Sequence, residues 1–486
     1  MGVGPGIGVG ELDLDGLDGD VLSLNPAPGA PPLGPGEVYA LVRLRGRPVG
    51  TVLARVGEDE DAAQTLAAVA RKQLAGFVSV RRDEPGGVEA CSGPHPAEGP
   101  VGAGADAAEP GVAGGCPGLH SAEGLTEGPV GAGPGAVGAG GVAAGPVRGA
   151  GVPRVSVVVA TRERAGQLAR ALDSLLGQDH PDYEILVVDN NPTTDRTRAL
   201  VERHYAARGV RYVVEPVPGL AAAHNRGVAA ARGAILAFTD DDVVADRRWL
   251  SSLVAPFADD ARLGCVTGLI LPARLTTPAQ ILLESHGGFT KGFAPRHFDP
   301  RRPPHDEPLF PFTAGRFGSG ANMAFRADAL RTVGGFDPAT GTGTPARGGD
   351  DLYAFARIVV AGHRLRYTPD ALVWHHHRET WQDLENQAYG YGAGLTAYLT
   401  AIIARRPALL PALLARVPRG LAHALAISAY RDAGEQSVPG EHGARSHPWP
   451  RSLSRLERRG MLYGPLGYLR ARRQVRGHRP PWETGR

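Results

Sequence analysis

The feature that most constrains the fold begins at Arg154: short β-branched runs, each ending on polar residues, separated by stretches with helical periodicity. VSVVVAT (155–161) is apolar up to its last residue except at Ser156, the pattern of a strand covered on both faces. Leu168, Leu172, Leu175 and Leu176 then recur at helical spacing, and YEILVVD (183–189) reads as a second buried strand. Thr194 and Asp195 can cap a helix carrying Leu200 and Val201, VRYVVE (210–215) makes a third strand, and a helix led by Gly219 precedes AILAF (234–238). Strands alternating with helices over this length predict βαβ units, a parallel sheet and right-handed crossovers. Thr161, Asp189 and the run Asp240, Asp241, Asp242 therefore fall at carboxyl ends of strands. In open α/β sheets that edge binds ligands.

Composition divides the remainder. Residues 1–36 are rich in Gly and Pro and mostly without periodicity, which predicts a loose leader. Residues 37–90 contain two apolar-alternating runs flanking Gly46, Arg47 and Pro48, then a helix-forming stretch, together a small N-terminal βα module. Residues 91–152 are almost wholly Gly, Ala, Pro and Val, with EGPVGAG at 98–104 and again at 127–133, and predict a disordered linker. The α/β domain is expected over 153–383 and a helical, Arg-rich region over 384–486. Lys plus Arg (52) nearly balance Asp plus Glu (50), and a net charge of +2 excludes a nucleic-acid binder working by bulk charge. Cys91, Cys116 and Cys265 lack metal or disulfide spacing, which fits a reducing, cytoplasmic setting. Abundant Gly and Pro with very little Lys fit a GC-rich bacterial coding bias. No early segment reads as a signal peptide, and no run reaches the roughly 18 apolar residues of a membrane span.

The ligand at that edge can be narrowed chemically. The turn after the first strand is TRERAGQ, neither a Gly-rich dinucleotide turn nor a P-loop. It offers Thr161 and the cation Arg164, while Asp189 and Asn190 can hydrogen-bond a base or ribose. A nucleotide lying across these strand ends would bring its phosphates to the acidic run, which is tolerable only with a bridging cation, Mg²⁺ or Mn²⁺. The bland alternative is a solvated Asp-rich turn capping the helix at Trp249 and Leu250. Alternation along an extended segment points Asp240 and Asp242 one way and Asp241 the other.

Five ordered stretches, VSVVVATRER, YEILVVDNNPTTD, GLAAAHNRGVAAARGAILAFTDDDV, GSGANMAFRADALRTVGGFDP and GGDDLYAFARIVVAGHRLRYTPDALVWHH, resemble the family 2 glycosyltransferases over roughly residues 153–400. The resemblance implies the GT-A fold, a Rossmann-like mostly parallel sheet with flanking helices, and sugar transfer from a nucleotide-diphosphate donor to an acceptor hydroxyl. It implies Thr161, Arg164 and Asp189 for the nucleotide, Asp240 and Asp242 as a D-x-D motif with Asp242 the direct metal ligand, and Asp351 as catalytic base. Asp350 stands where the family has Glu and is expected, with Asn322 and Trp381, to meet the acceptor or the sugar. His224 stands where the family has Arg, so either His224 or the displaced Arg226 approaches the diphosphate. A single carboxylate near the acceptor, with no separate nucleophile, favours inversion over retention. The acceptor expected is a cell-surface glycan, a lipid-linked sugar or a secondary metabolite.

Other clusters are less specific. In WHHHRETW (374–381), His375 could meet the metal, and His375 and His377 would share a face in a strand, which a solvated rim explains equally. Asn322 could bond sugar hydroxyls, and Trp249, Trp374 or Trp381 could stack on a sugar ring, core packing being the usual fate of Trp374. The apolar tail, interrupted by Arg pairs and prolines, either lies peripherally on an anionic membrane, at the inner face of the plasma membrane, or packs on the catalytic domain or pairs subunits. A sugar-phosphate nucleotidyltransferase and a non-catalytic nucleotide-sugar-binding protein are the rival functional classes.

Overall fold

The computed structural model describes residues 6–16, 19–78, 153–285, 288–416, 418, 449–477 and 482. The linker expected over 91–152, with Cys91 and Cys116, and the middle of the apolar tail lie outside the described residues. One compact unit holds the described residues.

The N-terminal part is a four-stranded sheet, ordered β2-β1-β3-β4, of β1 (Gly8–Leu14), β2 (Val21–Pro26), β3 (Gly36–Leu44) and β4 (Arg47–Val56), backed by helix α1 (Ala62–Val78). The loose leader expected over residues 1–36 thus contains two strands. The reason is burial on both faces: Val9 and Leu41 pack on one side, while Leu12, Leu14, Val38, Ala40 and Val42 pack toward α1 on the other. With glycines and acids between them, these few apolar residues leave no alternation to read. Arg45 and Gly46, both at positive φ (50° and 79°), make the two-residue turn between β3 and β4.

The second sheet has nine strands: β5 (Val155–Thr161), β6 (Tyr183–Asn190), β7 (Val210–Glu215), β8 (Ile235–Asp240), β9 (Val243–Ala245), β10 (Leu263–Pro272), β11 (Arg296–Phe298), β12 (Asn322–Arg326) and β13 (Arg364–His375). Their order is β11-β13-β10-β12-β8-β5-β6-β7, with β9 beside β13. Strands β8, β5, β6 and β7 are parallel. Strand β12 is antiparallel to both β8 and β10, so β10 and its parallel partner β13 point the same way as β8. The carboxyl ends of these six strands consequently share one edge, carrying Thr161, Asp189, Asp240 and His375.

The helices are α2 (Ala165–Leu175), α3 (Arg196–Leu200), α4 (Leu220–Ala230), α5 (Trp249–Asp259), α6 (Pro278–Ser285), α7 (Ala327–Thr332), α8 (Asp350–Val360), α9 (Trp381–Arg405), α10 (Leu410–Leu414) and α11 (Arg451–Gln474). Both faces of the sheet are covered, in agreement with the continuous apolar runs. Val155, Val157 and Val159 of β5 pack with Leu168, Leu172 and Leu175 of α2 and Trp249 and Leu253 of α5. Val158 and Ala160 point to the opposite core, shared with α4, α8 and α9. Each fully buried leucine here is worth about 1.5–3 kcal/mol.

Helix α9 starts at Trp381, its first turn capped by Thr380, whose hydroxyl accepts from the Asp383 amide at 3.1 Å. The boundary expected at 383/384 therefore falls inside a helix. Helix α11 lies so close on α9 that a Cβ on Gly464 would come within 2.3 Å of the Ala393 carbonyl oxygen, and one on Gly460 within 2.1 Å of that of Tyr389. The described part of the tail thus packs on the rest of the chain along one face and leaves Leu462, Leu466 and Leu469 exposed on another. Among the described residues no single helix is long and apolar enough to cross a membrane; Trp381–Arg405 with Pro407–Leu414 meets the length and composition together but is bent by 116°.

Candidate active site

The acidic run turns the chain from β8 into β9, and each carboxylate resolves its charge differently. Asp241 turns inward: its Oδ2 accepts from the Thr161 hydroxyl at 2.7 Å and its Oδ1 from Arg164 Nη1 at 3.1 Å. Asp242 faces Arg164 Nη1 at 3.3 Å, Arg378 Nη2 at 3.6 Å and His375 Nε2 at 3.4 Å. The Asp242 main chain is held as well, its carbonyl accepting from the His376 amide at 2.9 Å. Asp240, Asp242 and His375 each turn one ligand atom toward a common point, all within 4.8 Å of one another.

Burial and neighbouring charge act on each member of this trio. Burial, then the facing Asp242, pushes the Asp240 carboxyl up to about 7. Burial opposes the charge of Asp242 too, but His375, Arg378 and Arg164 outweigh it and hold that carboxyl below its ordinary range. Burial disfavours the His375 cation, and Asp242 and Asp240 more than offset this, raising it. Asp242 Oδ1 is buried without a well-formed hydrogen bond, its near neighbour within the trio being His375 Nε2 at 3.4 Å. Two carboxylates and an imidazole converging there fit a divalent cation, Mn²⁺ or Mg²⁺.

Asp351 lies one strand over. Asn322 of β12 pairs with Thr239 of β8, so Gly320, two residues earlier, is level with the acidic turn. The Gly320 amide donates to Asp351 Oδ2 at 2.9 Å and the Leu352 amide to Oδ1 at 2.8 Å. Gly349 is the N-cap residue of α8, so Asp350 and Asp351 occupy its first turn without capping it. Burial, then neighbouring Asp350, raises the Asp351 carboxyl to about 6, against the pull of the two amides. Lys291 is nearby in charge: burial and Arg316 bring its amine down to about 8, with Asp351 opposing. Asp350 itself turns to His224, its Oδ2 3.3 Å from Nδ1, in a buried pocket where Phe238 and Phe336 pack on the imidazole at 5.1 and 4.8 Å.

Across the sheet, Asp189 is buried at the end of β6. Its Oδ2 accepts from the Tyr212 hydroxyl at 2.8 Å, its Oδ1 has no partner, and burial raises its carboxyl. A cavity of about 310 Å³ opens beside His376 and His377, lined in part by Arg170, Arg274 and Arg378.

Several residues singled out from the sequence do other work. Asn322 is fully buried: its Nδ2 donates to the Leu269 and Ala371 carbonyls, both at 2.8 Å, and its Oδ1 accepts from Trp249 Nε1 at 2.9 Å. It bridges the irregularity where β10 and β13 slip register after Gly268, at which even a Cβ would lie 2.2 Å from the Ala371 oxygen. No amide hydrogen is left for a sugar. Asn190 is likewise occupied, donating to the Val217 carbonyl and accepting from the Gly219 amide, and so shapes the turn into α4. The Thr161 hydroxyl serves Asp241. Arg226 points outward from α4 and is exposed, whereas His224 is at the site. Trp381 is 44% exposed, its Nε1 donating to Glu385. Trp249 and Trp374 are core residues. Sequence reasoning missed Lys291, Arg378 and Tyr212, and also Glu284, whose Oε2 lies 3.1 Å from His377 Nε2. For Lys291 one signal existed, since it is one of two lysines in a chain whose other basic residues are arginine.

Residues 156–334 match the family model described as Glycosyl transferase family 2. The pre-mycofactocin glycosyltransferase of Mycobacterium tuberculosis is 29% identical over 239 residues, 49% of this chain and 46% of that one. The O-antigen biosynthesis protein RfbC of Myxococcus xanthus is 30% identical over 48% of this chain and 18% of its own. The validoxylamine A glucosyltransferase of Streptomyces hygroscopicus is 35% identical over 125 residues, 24% of this chain and 29% of that one. The match thus spans less than half the length of these relatives. Among solved structures, a mannosyltransferase, PcManGT from Pyrobaculum calidifontis in complex with GDP-Man and Mn²⁺, aligns with a TM-score of 0.42 at 22% identity, over 65% of this chain and 87% of that one. The likeness to the glycosyl transferase family 2 model covers residues 156–334.

Proposed function

We propose that the chain is an inverting glycosyltransferase that moves a sugar from a nucleotide-diphosphate donor to an acceptor hydroxyl, with Asp351 as general base. The observation that carries this reading is the juxtaposition, one strand apart, of a convergent Asp240–Asp242–His375 trio and a carboxyl tuned to about 6. A base with that proton affinity is mostly ionised at neutral pH yet still takes up a proton readily.

In this mechanism the nucleoside lies across the ends of β5 and β6, where the unpartnered Asp189 Oδ1 accepts from the base or ribose. Arg164 and Arg378, already turned to the acidic run, meet the diphosphate's negative charge. Asp240, Asp242 and His375 would hold a divalent cation, which would supply Lewis-acid stabilisation of the leaving diphosphate. Asp351 takes the acceptor proton as the hydroxyl oxygen bonds to the anomeric carbon and the bond to the diphosphate breaks on the opposite face. The amides of Gly320 and Leu352 keep that carboxylate fixed while the proton arrives.

Relatives named for O-antigen biosynthesis and for validoxylamine A support an acceptor among cell-surface glycans, lipid-linked sugars or secondary metabolites. Peripheral contact with an anionic membrane, at the inner face in a cytoplasmic protein, draws its support from the exposed side of α11, where Leu462, Leu466 and Leu469 lie among exposed arginines. Binding to anionic vesicles but not to neutral ones is the expected result. The main test is a panel of nucleotide sugars with Mn²⁺ or Mg²⁺, scored by donor hydrolysis and by protection from unfolding. Metal-dependent turnover of one donor supports the reading; pyrophosphate release from a nucleoside triphosphate instead would establish a nucleotidyltransferase.

A further inference from the structure

His375 does not stand alone. Its Nδ1 lies 3.0 Å from His377 Nδ1, His377 Nε2 lies 3.1 Å from Glu284 Oε2 in α6, and Glu284 Oε1 accepts from the Tyr39 hydroxyl at 3.3 Å. Tyr39 belongs to β3 of the N-terminal sheet, outside the family match. We propose that this sheet positions the metal ligand His375 through the chain Tyr39, Glu284, His377, so that Nε2 is presented to the Asp240–Asp242 carboxylates.

The hydrogen-bond logic runs in one direction only. For Nε2 of His375 to offer its lone pair to a cation, Nδ1 must carry the hydrogen and donate it to His377 Nδ1. His377 must then carry its own hydrogen on Nε2, where a carboxylate waits. Glu284 is that carboxylate, and an acceptor at this place selects the required tautomer of both rings. Packing fixes the rings as well: Phe289 lies 5.1 Å from His375 and 5.5 Å from His377, and Gln280 of the same helix donates to the His377 carbonyl at 3.1 Å.

The N-terminal sheet is bound firmly enough to act as the outer anchor. Arg43 of β3, 6% exposed, bridges Glu11 at 2.9 Å and Asp246 at 2.6 Å, the latter four residues beyond Asp242. Val9, Ala27 and Leu41 pack on Leu372 and Trp374 of β13, the strand that ends at His375, and on Leu269 and Leu271 of its partner β10. The Ile7 amide also donates to the Leu275 carbonyl at 2.9 Å. This positioning role rests on the metal reading above, and its test separates the two.

The full chain is titrated with Mn²⁺ alone, following free Mn²⁺ by its magnetic resonance and bound Mn²⁺ by hyperfine coupling to imidazole nitrogen. Asp242→Asn is expected to abolish uptake; if wild type takes up none, or Asp242→Asn takes up as much, the metal reading itself fails. His377→Phe keeps ring volume but breaks the chain, and is expected to weaken Mn²⁺ binding roughly 10- to 100-fold and lose the nitrogen coupling. Glu284→Ala should act in the same direction, and Tyr39→Phe more mildly, with the fold checked by circular dichroism. Wild-type affinity and retained nitrogen coupling in both His377→Phe and Glu284→Ala would overturn the inference. If His377→Phe does not fold, Glu284→Ala and Tyr39→Phe decide it by the same readouts.

Discussion

Replacing Asp351 with Asn removes a base while nearly preserving shape, and the structure sets the expected size of both effects. The carboxylate accepts one amide hydrogen on each oxygen, from Gly320 and Leu352. An Asn offers one oxygen and one NH₂, so one amide loses its acceptor, costing about 1–3 kcal/mol. Against this, the folded chain raises the carboxyl from 3.8 to about 6. Because the folded value is the higher, the folded state holds the proton more tightly, and stability is lost as pH rises from 3.8 through about 6. At neutral pH the ionised wild type therefore carries a penalty of about 3 kcal/mol, which the neutral Asn does not. The two terms nearly cancel, so the unfolding midpoint at pH 7 should move by only a few degrees. Catalysis has no such compensation, and kcat should fall roughly 10²- to 10⁴-fold with donor protection from unfolding unchanged. In wild type, kcat/KM should fall on the acid side with an apparent pKa near 6, leaving about a tenth of the plateau one pH unit lower. Initial rates from pH 4.5 to 8.5 on the accepted donor, approximately the span needed to see both plateau and limb, provide the assay. A variant keeping more than a tenth of wild-type kcat, or still showing that limb, would refute Asp351 as the base.

The other expectations follow from contacts already described. Asp242→Asn should abolish Mn²⁺ uptake, whereas Asp241→Asn, whose partners are Thr161 and Arg164, should leave Mn²⁺ affinity within a few-fold; equal losses in titration would mean the roles are misassigned. Asn322→Ala should lower stability by about 3 kcal/mol or more in chemical denaturation, because two carbonyls and an indole N–H lose their partner; undiminished stability with a raised donor or acceptor KM would restore a sugar-binding role. Lys291→Met removes a cation that favours the Asp351 carboxylate, so the acid limb of kcat/KM should move to higher pH, and an unmoved limb would show that the two groups do not interact. Gly464→Ala forces a methyl against the Ala393 carbonyl and should lower the unfolding midpoint by several degrees in calorimetry, corresponding to about 1–3 kcal/mol.

What the sequence determined by itself was the doubly covered sheet and the edge at which its polar residues gather. VSVVVAT, YEILVVD and AILAF encode strands through local periodicity, and strand ends follow wherever such runs stop, so Thr161, Asp189 and Asp240 could be placed on one edge without coordinates. The tertiary structure decided which of those polar groups remain available. Asn322 and Asn190 looked like ligand donors but are bonded within the chain to carbonyls and amides, while Asp189 Oδ1 accepts no hydrogen bond and Asp242 Oδ1 faces His375 Nε2 at 3.4 Å. It also decided that residues 8–26 pair as strands and that Tyr39, Glu284 and His377 form one hydrogen-bonded chain across 245 and 93 residues of sequence. Periodicity reports how a segment lies against an apolar layer, but hydrogen-bond satisfaction depends on atoms brought together from distant segments, and only packing brings them together.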